Sequence, residues 1–96
     1  MSSQPLQALE RANAARAGVS RIRHAIKRGE LTVAQALEDP DAGPAAIATL
    51  LEAQRGWGAL AAERLCRRVP VRTNMLVREM TDRQRAVVGR LAGDRP

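Results

Sequence analysis

The chain has 96 residues, which is enough for one small domain with a marginal core. Its formal net charge of +6 and its pI of about 11.4 favour a polyanionic partner such as nucleic acid. One cysteine excludes an internal disulfide and suits a reducing cytoplasm. No apolar run approaches the roughly 18 residues that a membrane span needs, and residues 1–15 lack the apolar segment of a signal peptide.

The composition predicts an all-α fold. Trp57 is the one aromatic residue, so the core must be built from Leu, Ile, Val, Met and Ala, most of which form helices well. Strand-like alternation is absent apart from a few residues around 69–71. We expect a long basic N-terminal helix, residues 1–31, packed on a small helical domain of residues 32–96, the two forming one compact unit.

The charge is divided into three blocks. Residues 1–28 carry six basic and one acidic side chain, residues 29–54 carry five acidic and no basic ones, and residues 55–96 carry ten basic and four acidic ones. This division indicates one cationic face and one solvated acidic face.

The N-terminal helix is expected to begin near Pro5, with Ser2 or Ser3 as its cap, and to end at Gly29. Gly18 could kink it, at a cost of about 1 kcal/mol relative to Ala. Its basic residues either follow a phosphate backbone or form a solvated face. Apolar residues at helical spacing form one stripe: Leu6, Leu9, Ala12, Val19, Ile22 and Ile26.

Thr32 and Gln35 have the spacing of a capping box, which predicts a short helix over 33–38 with Val33, Ala36 and Leu37 inward. Prolines make residues 39–44 a loop. A third helix is expected to start at Pro44 or Ala45 and to end at Gly56, with three apolar residues inward: Ile47, Leu50 and Leu51.

The next helix is expected over 59–68 and must stop before Pro70. We expect it to bury Leu60, Ala61, Leu65 and Cys66. Thr73 or Asn74 can then cap a short turn over 75–77. A second capping box at 81–84 starts the last helix, which ends at Gly93. Three of its apolar residues are expected to face the core: Val87, Val88 and Leu91.

Gly56-Trp57-Gly58 interrupts the apolar pattern and exposes a fresh helix N-terminus. Its first amides lack helical partners and lie at the positive end of the helix dipole, so they can receive a phosphate. Both glycines can take positive φ, and neither has a Cβ to keep a ligand away. The alternative is a tight connection between helices with Trp57 inserted into the core.

Two helices joined by two successive turns, the first with Gly-x-Gly and the second a polar turn before Arg78, resemble the helix-two-turns-helix DNA-binding module. The order of parts is similar to the actinobacterial integration host factor family across roughly residues 9–92. The matching segments are Leu9-Glu10-Arg11-Ala12-Asn13-Ala14-Ala15-Arg16, Ile26-Lys27-Arg28-Gly29, Leu50-Leu51-Glu52-Ala53, Gly58, Ala62, Arg78 and Asp82-Arg83-Gln84-Arg85.

The resemblance implies a nucleoid-associated architectural protein that contacts duplex backbone and minor groove with low sequence specificity. It also implies that the protein bends DNA and can assist site-specific recombination. The chain departs from the family at four positions, where Ala59, Ala61, Met75 and Leu76 stand in place of basic residues. Met75 and Leu76 either wedge between base steps or belong to the core, and the core is the more frequent place for such residues.

The residue types and the resemblance together give a candidate DNA-binding set. Arg78 is expected to reach the minor groove, unless it forms a surface salt bridge with Glu79 or Asp82. The full set is Arg16, Arg23, Lys27, Arg55, Gly56, Gly58, Ala59, Arg64, Arg67, Arg68, Arg72, Thr73, Asn74 and Arg78.

We expect no enzymatic activity, cofactor or metal, because His24 and Cys66 are single and metal-ligand spacing is absent. The partner is expected to be double-stranded DNA, bound by a monomer in the cytoplasmic nucleoid and not at a membrane. Structured RNA is an alternative, since phosphate recognition does not distinguish the sugars. A second alternative is a recombinase partner docked on the acidic segment 30–52 through Glu38, Asp39 and Asp41.

Overall fold

The computed structural model describes residues 3–93, which form five helices and no β-strand. The helices are α1 (Ser3–Lys27), α2 (Val33–Leu37), α3 (Ile47–Glu52), α4 (Ala59–Arg68) and α5 (Asp82–Ala92), with 3₁₀ turns at Pro40–Ala42 and Val77–Glu79. The prediction of an all-α fold is confirmed.

The end of α1 is fixed by Gly29, as predicted. Gly29 takes φ +76°, its amide donates to Ile26 O at 3.0 Å, and the amide of Glu30 donates to Ala25 O at 2.9 Å. This pair of bonds is a Schellman motif, which satisfies the last carbonyls of the helix. The helix passes Gly18 without interruption. Of the two expected caps, Ser3 is the first residue of the helix, which begins two residues before Pro5, and Ser2 lies outside the described residues.

The C-terminal half of α1 packs on the rest of the molecule, whereas its N-terminal half is exposed. Ile22 and Ile26 are buried and Val19 is half-buried, but Leu6 and Leu9 are 59% and 54% exposed. The apolar stripe therefore meets the core only from Val19 onward. The long helix gives the molecule extents of 52 × 26 × 21 Å.

Capping boxes start α2 and α5 as the sequence predicts. The hydroxyls of Thr32 and Thr81 accept from the amides of Gln35 and Gln84, and each glutamine side chain accepts from the threonine amide. Because these bonds are local, they fix the helix starts without help from the rest of the fold.

α3 begins at Ile47, two to three residues later than predicted. The backbone before it pairs with the segment around Leu76: the Val77 amide donates to Ala45 O at 2.9 Å, and the Ile47 amide donates to Met75 O at 2.8 Å. Since Ala46 is extended in this pairing, with φ −70° and ψ 141°, it caps α3 and the helix cannot begin before Ile47.

The short turn expected over 75–77 lies instead at Val77–Glu79. Neither Thr73 nor Asn74 caps it. The Glu79 carboxylate accepts from the Leu76 amide at 2.9 Å, and the carbonyl of Thr73 accepts from the Ala48 amide at 3.1 Å.

The expectation that Leu60 is buried is wrong. Ala62, Leu65 and Cys66 form the buried face of α4, while Leu60 is 58% exposed and Ala61 is half-buried. At 100° per residue, Leu60 lies on the opposite side of the helix from that buried face. Burial raises the pKa of the Cys66 thiol above its ordinary value.

Candidate nucleic-acid interface

The N-terminus of α4 carries backbone donors that no protein group accepts. Gly58 is its N-cap, with φ −104° and ψ −174°, and has no side chain to accept a bond. Within residues 3–93, the amides of Ala59, Leu60 and Ala61 donate to no protein acceptor. By contrast, the N-termini of α2 and α5 are capped by threonines. Amides left free at a helix N-terminus are able to donate to an anion.

Space in front of these amides is open. Gly56 takes φ +80°, which favours glycine, whereas Gly58 is extended and does not use positive φ. A Cβ added at either glycine would meet nothing within 4 Å. At Gly58, the missing side chain therefore leaves the amides accessible. Trp57, between the two glycines, is half-buried against the core.

A groove between the C-terminal half of α1 and the turn before α4 brings distant predicted residues together. Arg23, Lys27, Arg55 and Gly56 all line it. The other lining residues are His24, Arg28, Glu30, Thr49, Glu52, Ala53 and Gln54.

One basic residue of this groove is already paired. Arg28 binds Glu30 at 3.0 Å, and this contact lowers the pKa of the Glu30 carboxyl. Among the described residues, Arg23, Lys27 and Arg55 make no ion pair. Three cationic side chains from two parts of the sequence therefore remain available in one groove.

A second set of basic residues lies on the exposed face of α4. Arg64, Arg67 and Arg68 are all exposed on it. Arg67 binds Glu63 at 2.5 Å, one helical turn before it, so part of its charge is neutralised. Arg64 and Arg68 make no ion pair within the described part of the chain.

The segment after α4 places further predicted residues at the surface. Arg72, Thr73 and Asn74 are exposed. Arg78 is exposed as well, and its backbone amide donates to Gly43 O at 3.1 Å.

Arg78, Met75 and Leu76 differ in their contacts within this segment. Arg78 forms no ion pair with Glu79 or Asp82, and Asp82 binds Arg85 instead. Met75 packs against the core, and Leu76 is half-buried. Arg78 is therefore exposed and outside any ion pair, next to the exposed Arg72, Thr73 and Asn74.

Two predicted features lie apart from the groove. Arg16, on the exposed half of α1, donates to Asn13 Oδ1. Asp39 and Asp41 hold Arg21 at 3.1 and 2.9 Å, which ties α1 to the 3₁₀ turn. Of the three acidic residues expected to dock a recombinase, only Glu38 is outside these contacts.

Sequence reasoning did not find Leu60 as a surface residue beside the free amides. Its spacing was the available signal, because Ala62, Leu65 and Cys66 share a helix face that excludes position 60.

Among the described residues, no three His, Cys, Asp or Glu side chains cluster as metal ligands. No helix within residues 3–93 has the length and hydropathy of a membrane-spanning segment.

Comparison of the sequence with protein-family models and with curated proteins gives no match. Comparison of the fold with solved structures finds the structure of sIHF bound to an 8-bp palindromic DNA. The two chains align with a TM-score of 0.74 and 25% identity over 88% of this chain and 99% of that chain. This chain has an sIHF-like fold.

Proposed function

We propose that this protein is a non-enzymatic architectural protein of the actinobacterial integration host factor type that binds double-stranded DNA. The observation that carries the proposal is the set of free amides at Ala59, Leu60 and Ala61 behind the open position of Gly58. A DNA phosphate can accept from such amides at a helix N-terminus. In this proposal α3, α4 and the turns that follow them act as a helix-two-turns-helix module.

The surrounding residues have roles that follow from their positions. Arg23, Lys27 and Arg55 neutralise DNA phosphates along the groove. Arg64 and Arg68 neutralise phosphates along α4, and Arg72 does so in the segment that follows α4. Arg78 reaches the minor groove, which attracts arginine where it is narrow. Thr73 and Asn74 donate hydrogen bonds to the DNA backbone. Arg67 neutralises a further phosphate once its ion pair with Glu63 is broken, and Arg16 extends the DNA contacts along α1.

Two features support DNA as the partner. The structure of sIHF, which shares this fold, contains DNA. The cationic side chains also lie on α1, on α4 and after α4, so a duplex that bends toward the protein gains further phosphate contacts. We therefore infer that the protein bends or compacts DNA in the nucleoid with low sequence preference. In that role it can assist site-specific recombination.

The test is binding to two unrelated duplexes of equal length across a salt series. We expect comparable affinities for both, with log K falling at a slope of about −0.9 per phosphate contact. The Arg64→Ala variant should make the slope shallower by about one contact. Arg90→Ala is the charge-matched control, because Arg90 is exposed on α5 and outside the proposed interface.

Absence of binding at low salt would refute the proposal, as would equal slope changes for Arg64→Ala and Arg90→Ala. Duplexes labelled at both ends should show increased energy transfer on binding, and an unchanged end-to-end distance would refute bending. Competition with RNA of the same sequence tests the RNA alternative, which requires RNA to displace DNA at equal concentration.

A further inference from the structure

Leu60 is a large apolar side chain exposed on a cationic surface. It is the second residue of α4, its own amide is one of the three free donors, and its side chain is 58% exposed. Arg64 lies one turn further along the helix on the same side, and Arg67 lies two turns further along. An apolar group in water next to charged groups gains nothing from its position in the free protein.

The core does not account for Leu60. The buried face of α4 is formed by Ala62, Leu65 and Cys66 on the other side of the helix. Leu60 is also absent from the partly buried residues that pack against the core. Leu60 therefore has apolar surface free to contact a ligand, at the place where the proposed function puts a nucleic-acid backbone.

We propose that Leu60 packs against deoxyribose in the minor groove and thereby makes the protein select DNA over RNA. This inference rests on the proposed function, since it needs a duplex held at the α4 N-terminus. The apolar surface of a sugar is the part of a nucleic-acid backbone that a leucine can cover, while the phosphates beside it meet the amides and Arg64. Apolar side chains are used in minor grooves by architectural proteins in general.

The selectivity follows from the 2′-hydroxyl. In DNA the leucine covers the carbon atoms of the sugar and removes apolar surface from water. In RNA the minor groove displays 2′-hydroxyls. A leucine pressed against such a hydroxyl would take it from water without offering a hydrogen bond, which is unfavourable. One side chain can thus favour one sugar and disfavour the other.

The experiment measures the affinities of Leu60→Ala, Leu60→Ser and Leu60→Met for a DNA duplex and for an RNA duplex of the same sequence. Wild type should bind DNA more tightly. Leu60→Ala and Leu60→Ser should lose about tenfold on DNA and less than twofold on RNA. Leu60→Met should retain the preference because it keeps the apolar surface. Leu9→Ala is the matched control, since Leu9 is exposed to a similar degree, 54%, on a different helix.

The outcomes separate this inference from the proposed function. If wild type binds DNA with the expected salt dependence but the Leu60 variants keep its DNA-to-RNA ratio, the inference fails and the proposed function stands. The same holds if Leu9→Ala lowers the ratio as much as Leu60→Ala does. If wild type binds no duplex, both fail. Because Leu60 is exposed, its variants should unfold at the same denaturant concentration as wild type, and circular dichroism checks this.

Discussion

Gly89 in α5 lies so close to Ala34 in α2 that a Cβ added to Gly89 would be 3.0 Å from the Ala34 Cβ and 3.1 Å from its Cα. A buried glycine in the middle of a helix costs about 1 kcal/mol in helix propensity relative to alanine. Here the missing side chain is what allows the two helices to approach.

The variant Gly89→Ala should therefore destabilise the protein although alanine is the better helix former. Overpacking of about 1–3 kcal/mol exceeds the gain in propensity, which leaves a net loss of about 1 kcal/mol. Urea unfolding followed by circular dichroism measures this change. A rise in the unfolding midpoint would show that α2 can move away from α5 at little cost.

The variant Gly58→Ser should separate stability from DNA binding. Serine is a good N-cap, and the φ and ψ of Gly58 suit it, so its hydroxyl can accept from the amide of Ala61. We expect stability to be unchanged or raised by about a few tenths of a kcal/mol. DNA affinity should fall by about tenfold, because the hydroxyl takes a donor from the phosphate and fills the open space.

Gly58→Ala is the companion variant, since it adds a Cβ without a hydroxyl. A loss of affinity with serine but not with alanine would assign the effect to the hydrogen bond, and equal losses would assign it to the volume of the side chain. Wild-type affinity in both variants would contradict phosphate binding at the α4 N-terminus.

Glu63→Gln should increase DNA affinity. The substitution releases Arg67 from its ion pair and removes a negative charge from the α4 face. We expect an increase of about two- to threefold and a salt slope steeper by up to about one contact. Stability should change by less than about 0.5 kcal/mol, because the pair is exposed.

Glu38→Gln is the control for Glu63→Gln. It makes the same change in net charge at an exposed position outside the proposed interface. Equal gains from the two variants would mean that overall charge, and not the release of Arg67, sets the affinity.

Asp39 should make stability depend on pH in acid. A hydrogen bond from the Asp41 amide and the contact with Arg21 lower the pKa of the Asp39 carboxyl below its ordinary value of 3.8. Because the folded state has the lower pKa, the contribution of Asp39 is fully present above the unfolded pKa and is lost as the pH falls through the folded pKa.

Asp39→Asn should consequently be less stable than wild type at neutral pH, and the difference should shrink below about pH 4. Urea unfolding of both proteins from pH 7 to acid measures this difference. If the difference in unfolding free energy between the two proteins stays constant across this pH range, the charge of the Asp39 carboxylate does not contribute to the ion pair with Arg21.

Local signals in the sequence determined three of the helix ends. Thr32 and Thr81 start α2 and α5 through capping boxes, and Gly29 ends α1 through a Schellman motif. Each of these involves residues within six positions of one another, so the amino-acid pattern contains all the partners. The start of α4 without a capping side chain is also visible in the sequence. That its amides are free is not, because α3 likewise lacks a capping side chain and its first amides donate to Met75 O and Thr73 O.

Contacts between distant segments decided what the pattern could not. The start of α3 depends on the backbone pairing of Ala45 with Val77. The groove exists because α1 packs so that Arg23 and Lys27 lie near Arg55. Leu60 is apolar, yet it stays exposed because no other part of the described structure packs against its side of α4. Helix ends follow from hydrogen bonds between near neighbours, whereas burial and the grouping of charges depend on which surfaces meet, and that is set by the packing of the whole chain.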